Sequence, residues 1–125
     1  MPHNILIIDD EDDIRAVAAL SLETVAGWEV ATASSGAQGV ERAQSLQPEA
    51  ILLDVMMPGM DGRATFAALQ QNPKTAAIPV VLLTAKSQSS EREQLAALGV
   101  AGVLTKPFDP LTLPGAIAAV LGWET

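Results

Sequence analysis

Three apolar runs constrain this chain more than anything else in it: NILIID at 4–9, AILLDV at 50–55 and IPVVLLTA at 78–85. None alternates apolar with polar residues. A strand with one wet face alternates, so these three are predicted to be buried on both faces, as in a parallel sheet covered by helices. Two weaker runs, WEVATA at 28–33 and AGVLTK at 101–106, bring the predicted strands to five. The segments between carry apolar residues at helical spacing: Ile14, Val17, Ala18, Leu22 and Val25; Ala37, Val40, Ala43 and Leu46; Phe66 and Leu69; Leu95 and Leu98. A strand followed by a helix, five times over, implies an α/β fold, a three-layer doubly wound sheet with right-handed crossovers.

Local punctuation agrees with this order. Ser34 or Ser35 suits the N-cap of the second helix, Asp61 that of the third and Ser89 or Ser90 that of the fourth, while Gly27 and Gly99 suit helix ends. The last helix lies within LTLPGAIAAVLGW at 111–123 and contains Pro114. A cap at Asp109 would make Pro114 delete a backbone bond. A cap at Thr112 leaves it in the first turn, so the later start is expected. This segment has no charged residue; Leu113, Ile117, Val120 and Leu121 form its core stripe, with Ala118 and Ala119 on the other side. A helix without a polar face is usually covered, so a homodimer through this helix, or a partner in its place, is expected.

The length of 125 residues suits one domain spanning 1–125, with no output domain in this chain. Seven basic against fifteen acidic side chains leave a net charge of −8, which argues against direct binding to nucleic acid or anionic membrane. The absence of cysteine excludes disulfides, thiolate metal sites and a cysteine nucleophile. No apolar run reaches the roughly 20 residues of a membrane-spanning helix, and the start has no basic segment leading into an apolar one. A soluble, unprocessed, cytoplasmic protein is expected.

In doubly wound sheets ligands bind beyond the carboxyl ends of the strands. Asp9 and Asp10 end the first predicted strand, Asp54 the third, Thr84 the fourth and Lys106 the fifth, so all five are expected at one rim. Three close carboxylates raise one another's pKa unless they share a cation. With oxygen ligands only and a single distant His3, Mg²⁺ fits better than zinc, with Mn²⁺ as an alternative. Lys106 adds a positive charge for phosphate or for pairing with Asp54, and Thr84 adds a hydroxyl donor. Together they make a site for phosphoryl transfer to a carboxylate.

ILIIDDEDD, LLDVMMPGMDG, VVLLTA and LTKPFDPLTL match, in order and spacing, the receiver domains of two-component response regulators. The chain resembles that family over nearly its whole length. The resemblance implies a CheY-like, flavodoxin-like (βα)5 fold with strand order 2-1-3-4-5 and a phosphorylation-dependent signalling role. It implies Asp54 as phosphoacceptor, Asp10, Asp54 and the backbone carbonyl of Met56 as Mg²⁺ ligands, Asp9 as a ligand through water, and Thr84 and Lys106 as holders of phosphoryl oxygens. The implied donor is a histidine kinase or phosphotransfer protein, with signalling through protein contacts. Such a domain is not an enzyme on other substrates; it catalyses only its own phosphorylation and dephosphorylation.

Three positions depart from the family pattern or bear on its chemistry. Val103 stands where relatives commonly carry Tyr or Phe, so an aromatic switch is not expected. Met56 and Lys86 flank the approach of a hydrolytic water without a carboxylate or amide to orient it, so a long-lived acyl phosphate is expected. The alternative reading is a small phosphohydrolase or phosphotransferase with an aspartate nucleophile. Such enzymes need a second acid close after the nucleophile and a substrate cap; Val55 and Met56 follow Asp54 instead, and a cap has no room in this length.

Overall fold

The computed structural model describes residues 3–85 and 89–123, side chains at 89–91 apart. Strands β1 (Asn4–Ile8), β2 (Glu29–Ala33), β3 (Ala50–Asp54), β4 (Val80–Thr84) and β5 (Gly102–Thr105) alternate with helices α1 (Asp12–Val25), α2 (Gly36–Leu46), α3 (Gly62–Gln71), α4 (Ser89–Ala96) and α5 (Leu113–Leu121). All strands run parallel, in the order β2-β1-β3-β4-β5. The chain starts in the middle of the sheet, works outward to β2, then crosses back over β1. That reversal places the ends of β1 and β3 side by side, the crevice where such folds hold ligands.

β1, β3 and β4 are buried on both faces as predicted, and alternate residues serve two cores. Leu6, Ile8, Ile51, Leu53 and Leu82 pack with Phe66, Leu69 and Leu95 on the α2, α3 and α4 side. Ile5, Ile7, Leu52, Val81 and Leu83 pack with Leu22, Leu113 and Ile117 on the α1 and α5 side.

The helix faces correct the sequence reading in three places. In α2 the buried residues are Gly36, Gly39 and Ala43, while Leu46 is exposed. A Cβ on Gly39 would stand 2.4 Å from Ile8 Cδ1, so the helix lies on the sheet at that glycine, which an apolar count overlooks. In α1 the inner face is Ala18, Ser21 and Leu22, leaving Val17 and Val25 more exposed than their helical spacing suggested. In α5, Ala118 is buried rather than outward, and Val120 and Leu121 are only partly covered.

Caps are mostly where the sequence puts them. Ser35 Oγ accepts from Gln38 N, and Gln38 Oε1 accepts from Ser34 N in return. Thr112 precedes α5, with Pro114 in its first turn. The Ser89 and Ser90 side chains lie outside the described residues. Asp61 Oδ1 accepts from Ala64 N at 2.9 Å, so Asp61→Ala is expected to cost about 1 kcal/mol in urea unfolding. A loss under about 0.3 kcal/mol would mean that water satisfies that amide equally well.

Candidate functional site

Asp54 closes β3 and is 2% exposed. Beyond it the chain turns through Gly59, whose φ of +71° favours glycine, and re-enters α3 at Gly62. The Gly62 N–H donates to the Val55 carbonyl at 2.9 Å, and a Cβ on Gly62 would lie 2.5 Å from the Asp54 carbonyl oxygen. The PGMDG sequence thus brings a helix start against the backbone of the acid and leaves the acid little freedom.

Asp9 and Lys106 reach the same point. Asp9 follows β1 and is 1% exposed. Its N–H donates to the Ala33 carbonyl, its Oδ1 accepts from Glu11 N at 2.9 Å, and its carbonyl accepts from Arg15 Nη1 at 2.8 Å. Lys106 follows β5 and is joined to Pro107 by a cis peptide. Its N–H donates to the Thr84 carbonyl at 2.8 Å, tying it to the end of β4. Its Nζ lies 3.2 Å from Asp9 Oδ2, 3.2 Å from Asp54 Oδ1 and 3.3 Å from Glu11 Oε1. Thr84 itself is fully buried at the same rim.

Burial pushes the Asp54 carboxyl up from 3.8 to about 6, and the neighbouring Asp9 adds to this while Lys106 opposes it. Lys106 moves the other way from what its own burial dictates. Desolvation lowers its pKa, but the attraction of Asp54 and Asp9 outweighs that and the net shift is upward. Both directions describe one ammonium shared among more negative charge than it can neutralise.

The predicted rim residues separate into two groups. Asp9, Asp54, Thr84 and Lys106 converge, and Met56 stays beside them, its N–H 3.3 Å from Asp54 Oδ1. Asp9, Asp54 and Glu11, not Asp10, bring carboxylate oxygens within 4.8 Å of one another. Glu11 is the residue that sequence reasoning missed; residues 9–11 lie beyond β1, where strand alternation no longer sorts an acidic run, so its only signal was membership of that run. Val103 is half-buried on the α4 side of the sheet, and Lys86 lies outside the described residues. His3 is a strand length away, bonded to Glu49 at 2.8 Å and stacked on Trp123 at 3.9 Å.

The residues present fit a hard divalent cation. Asp10 Oδ1 and Asp54 Oδ2 are buried with no hydrogen-bond donor among the described residues, and buried Asp9 Oδ2 has only the Lys106 ammonium at 3.2 Å. Buried carboxylate oxygens without donors cost free energy that an oxygen-seeking cation offsets.

A parallel sheet with a crevice between β1 and β3, holding a fixed carboxylate, a lysine and further acidic oxygens, defines a doubly wound module with an acidic crevice. The chain belongs to the response regulator receiver domain family of two-component systems, whose model matches residues 5–118. It is 39% identical over 117 residues to the DNA-binding dual master transcriptional regulator RpaA of Synechocystis sp., covering 94% of this chain and 48% of that protein. It is 34% identical to the alkaline phosphatase synthesis transcriptional regulatory protein PhoP of Bacillus subtilis, covering 97% of this chain and 49% of that one. The chain therefore spans about half the length of these curated relatives. Among solved structures, the chemotaxis response regulator CheY4 of Vibrio cholerae superimposes with a TM-score of 0.88 at 31% identity, covering 96% of this chain and 99% of that one. Among the described residues no helix is long and apolar enough to cross a membrane.

Proposed function

We propose that Asp54 accepts one phosphoryl group from a phosphohistidine on a histidine kinase or phosphotransfer protein, and that the resulting charge switches protein contacts. The observation that carries this reading is the buried Asp54 carboxylate 3.2 Å from the Lys106 ammonium, at the carboxyl end of β3. An Asp54 oxygen attacks phosphorus as the donor's P–N bond breaks. The leaving imidazole keeps the electron pair and takes a proton, and the acyl phosphate retains its negative charge. Lys106 then pairs with phosphoryl oxygens in place of the carboxylate, and Thr84 supplies a hydroxyl beside them.

Asp9, Asp10, Asp54 and the Met56 carbonyl would hold Mg²⁺, with Mn²⁺ as a substitute. When bound it neutralises charge on the phosphoryl oxygens. The excess of acidic side chains supports protein rather than nucleic-acid contacts for this segment. The chain catalyses only its own phosphorylation and dephosphorylation, and it acts in the cytoplasm, where such kinases expose their donors.

With Mg²⁺ and a small acyl phosphate donor, intact mass is expected to show one phosphoryl group per chain, and none in Asp54→Asn. Undiminished labelling of that variant would overturn the assignment. Sustained turnover of phosphate esters would favour the hydrolase reading instead.

A further inference from the structure

We infer that Glu11 is a positioning residue: it provides the seat to which the Lys106 ammonium retreats when a divalent cation takes the oxygens of Asp9 and Asp54. This inference rests on the proposed cation site and assigns a role to the member of the acidic cluster that the proposed ligand set leaves out.

The geometry sets up a competition. Lys106 Nζ lies among three carboxylates at nearly equal distances, 3.2 Å from Asp9, 3.2 Å from Asp54 and 3.3 Å from Glu11. The first two are almost fully buried; Asp54 also carries an oxygen, Oδ2, without a hydrogen-bond donor among the described residues, while Asp9 Oδ2 has the ammonium alone. A divalent cation held by those oxygens would displace the ammonium, because two cations sharing them would repel strongly. The ammonium still has to remain within reach of Asp54, where phosphoryl oxygens would need it. Of its three partners, Glu11 alone faces solvent, with a side-chain exposure of 58%. It can hold Lys106 at the mouth of the site while both carboxylates inside are occupied.

The local structure shows that Glu11 is committed to this contact. It occupies the N-cap position of α1 but makes no side-chain cap bond, although first-turn amides lie beside it. Glutamate is a poor N-cap residue, and its longer side chain reaches across to β5 instead. Its backbone is anchored from the other direction, with its N–H on Asp9 Oδ1 and its carbonyl accepting from Arg15 N. The carboxylate is thus presented on a braced turn.

The test is calorimetric titration of MgCl₂ into the protein at pH 7.5 without phosphodonor. Glu11→Gln is expected to weaken Mg²⁺ binding about fivefold, the scale of one partly exposed ion pair. In the Lys106→Met background the same substitution is expected to change affinity less than about twofold, since no ammonium then needs a seat. A full fivefold loss in that background would mean that Glu11 acts on the cation directly and would overturn the inference.

A second readout uses the side-chain ¹⁵Nζ resonance of Lys106 with saturating Mg²⁺, so it does not depend on the Lys106 variant folding. Protection from proton exchange is expected in the native protein and its loss in Glu11→Gln. Equal protection in both would overturn the inference as well. If the native protein binds no Mg²⁺ at all, the cation reading of the site fails; native binding with an unchanged Glu11→Gln fails the Glu11 role alone.

Discussion

Asp54→Asn is expected to make the protein more stable than the native sequence at pH 7.5 in the presence of a chelator, by about 2 kcal/mol. The folded chain raises the Asp54 pKa from 3.8 to about 6. Between those values the folded state binds more protons than the unfolded one, so stability falls as pH rises through that window. The penalty is complete above about 6 and absent below 3.8. A pKa difference of about two corresponds to roughly 3 kcal/mol, and the amide returns less than that because it forgoes the attraction of Lys106. For a chain of this size the gain raises the melting temperature by roughly 8 °C. Urea unfolding of both proteins at pH 7.5 and pH 4 checks the sign. The curves should separate at the higher pH and converge at the lower, and a variant less stable at pH 7.5 would mean that Lys106 outweighs burial.

Lys106→Met is expected to have the opposite effect, a loss of about 3 kcal/mol in chelator at pH 7.5. It removes the cation that faces both Asp9 and Asp54 and leaves two buried carboxylates beside each other. Because those acids are 1% and 2% exposed, added salt should restore little. Mg²⁺ should restore most of it, since a ligand at 100 times its dissociation constant contributes about 2.7 kcal/mol. Adding Asp54→Asn to Lys106→Met should also recover stability, because one unpaired acid is gone. Denaturation in chelator, in Mg²⁺ and in the double variant separates these contributions. Equal midpoints for Lys106→Met and the native protein in chelator would show that water already solvates the acids.

The opposite signs of these two substitutions describe the site as a charge imbalance built into the end of the sheet. Among the described residues the site holds more negative charge than the Lys106 ammonium can neutralise. A divalent cation and a phosphoryl group are the pair of charges that such an imbalance can take up without rebuilding the fold.

Most of the architecture was legible in the residues. Uninterrupted apolar runs require burial on both faces, and strands so buried with helices between them can only stack as a doubly wound sheet. Asp9, Asp54, Thr84 and Lys106 were legible because each stands where an apolar run stops. The order of the strands came from resemblance to relatives, and the pairing of β1 with β3 agrees with it.

What only the tertiary structure decided follows from contacts that side-chain chemistry does not announce. Glycines carry no apolar signal, yet α2 meets the sheet at Gly39, where only a missing Cβ lets Ile8 come so close, and meets Thr65 of α3 and the loop at Met60 through Gly36. Ala118 is small enough to read as either face of α5, and packing buried it. Glu11 looked like one more acid in a solvated turn, since a charge run does not reveal which member will meet a lysine 95 residues later. The sequence by itself determined the elements and the strand ends at which polar residues emerge, because burial and periodicity act locally. The sharing of Lys106 among Asp9, Glu11 and Asp54 needed three strand ends brought together, and distance in space is what decides between charges.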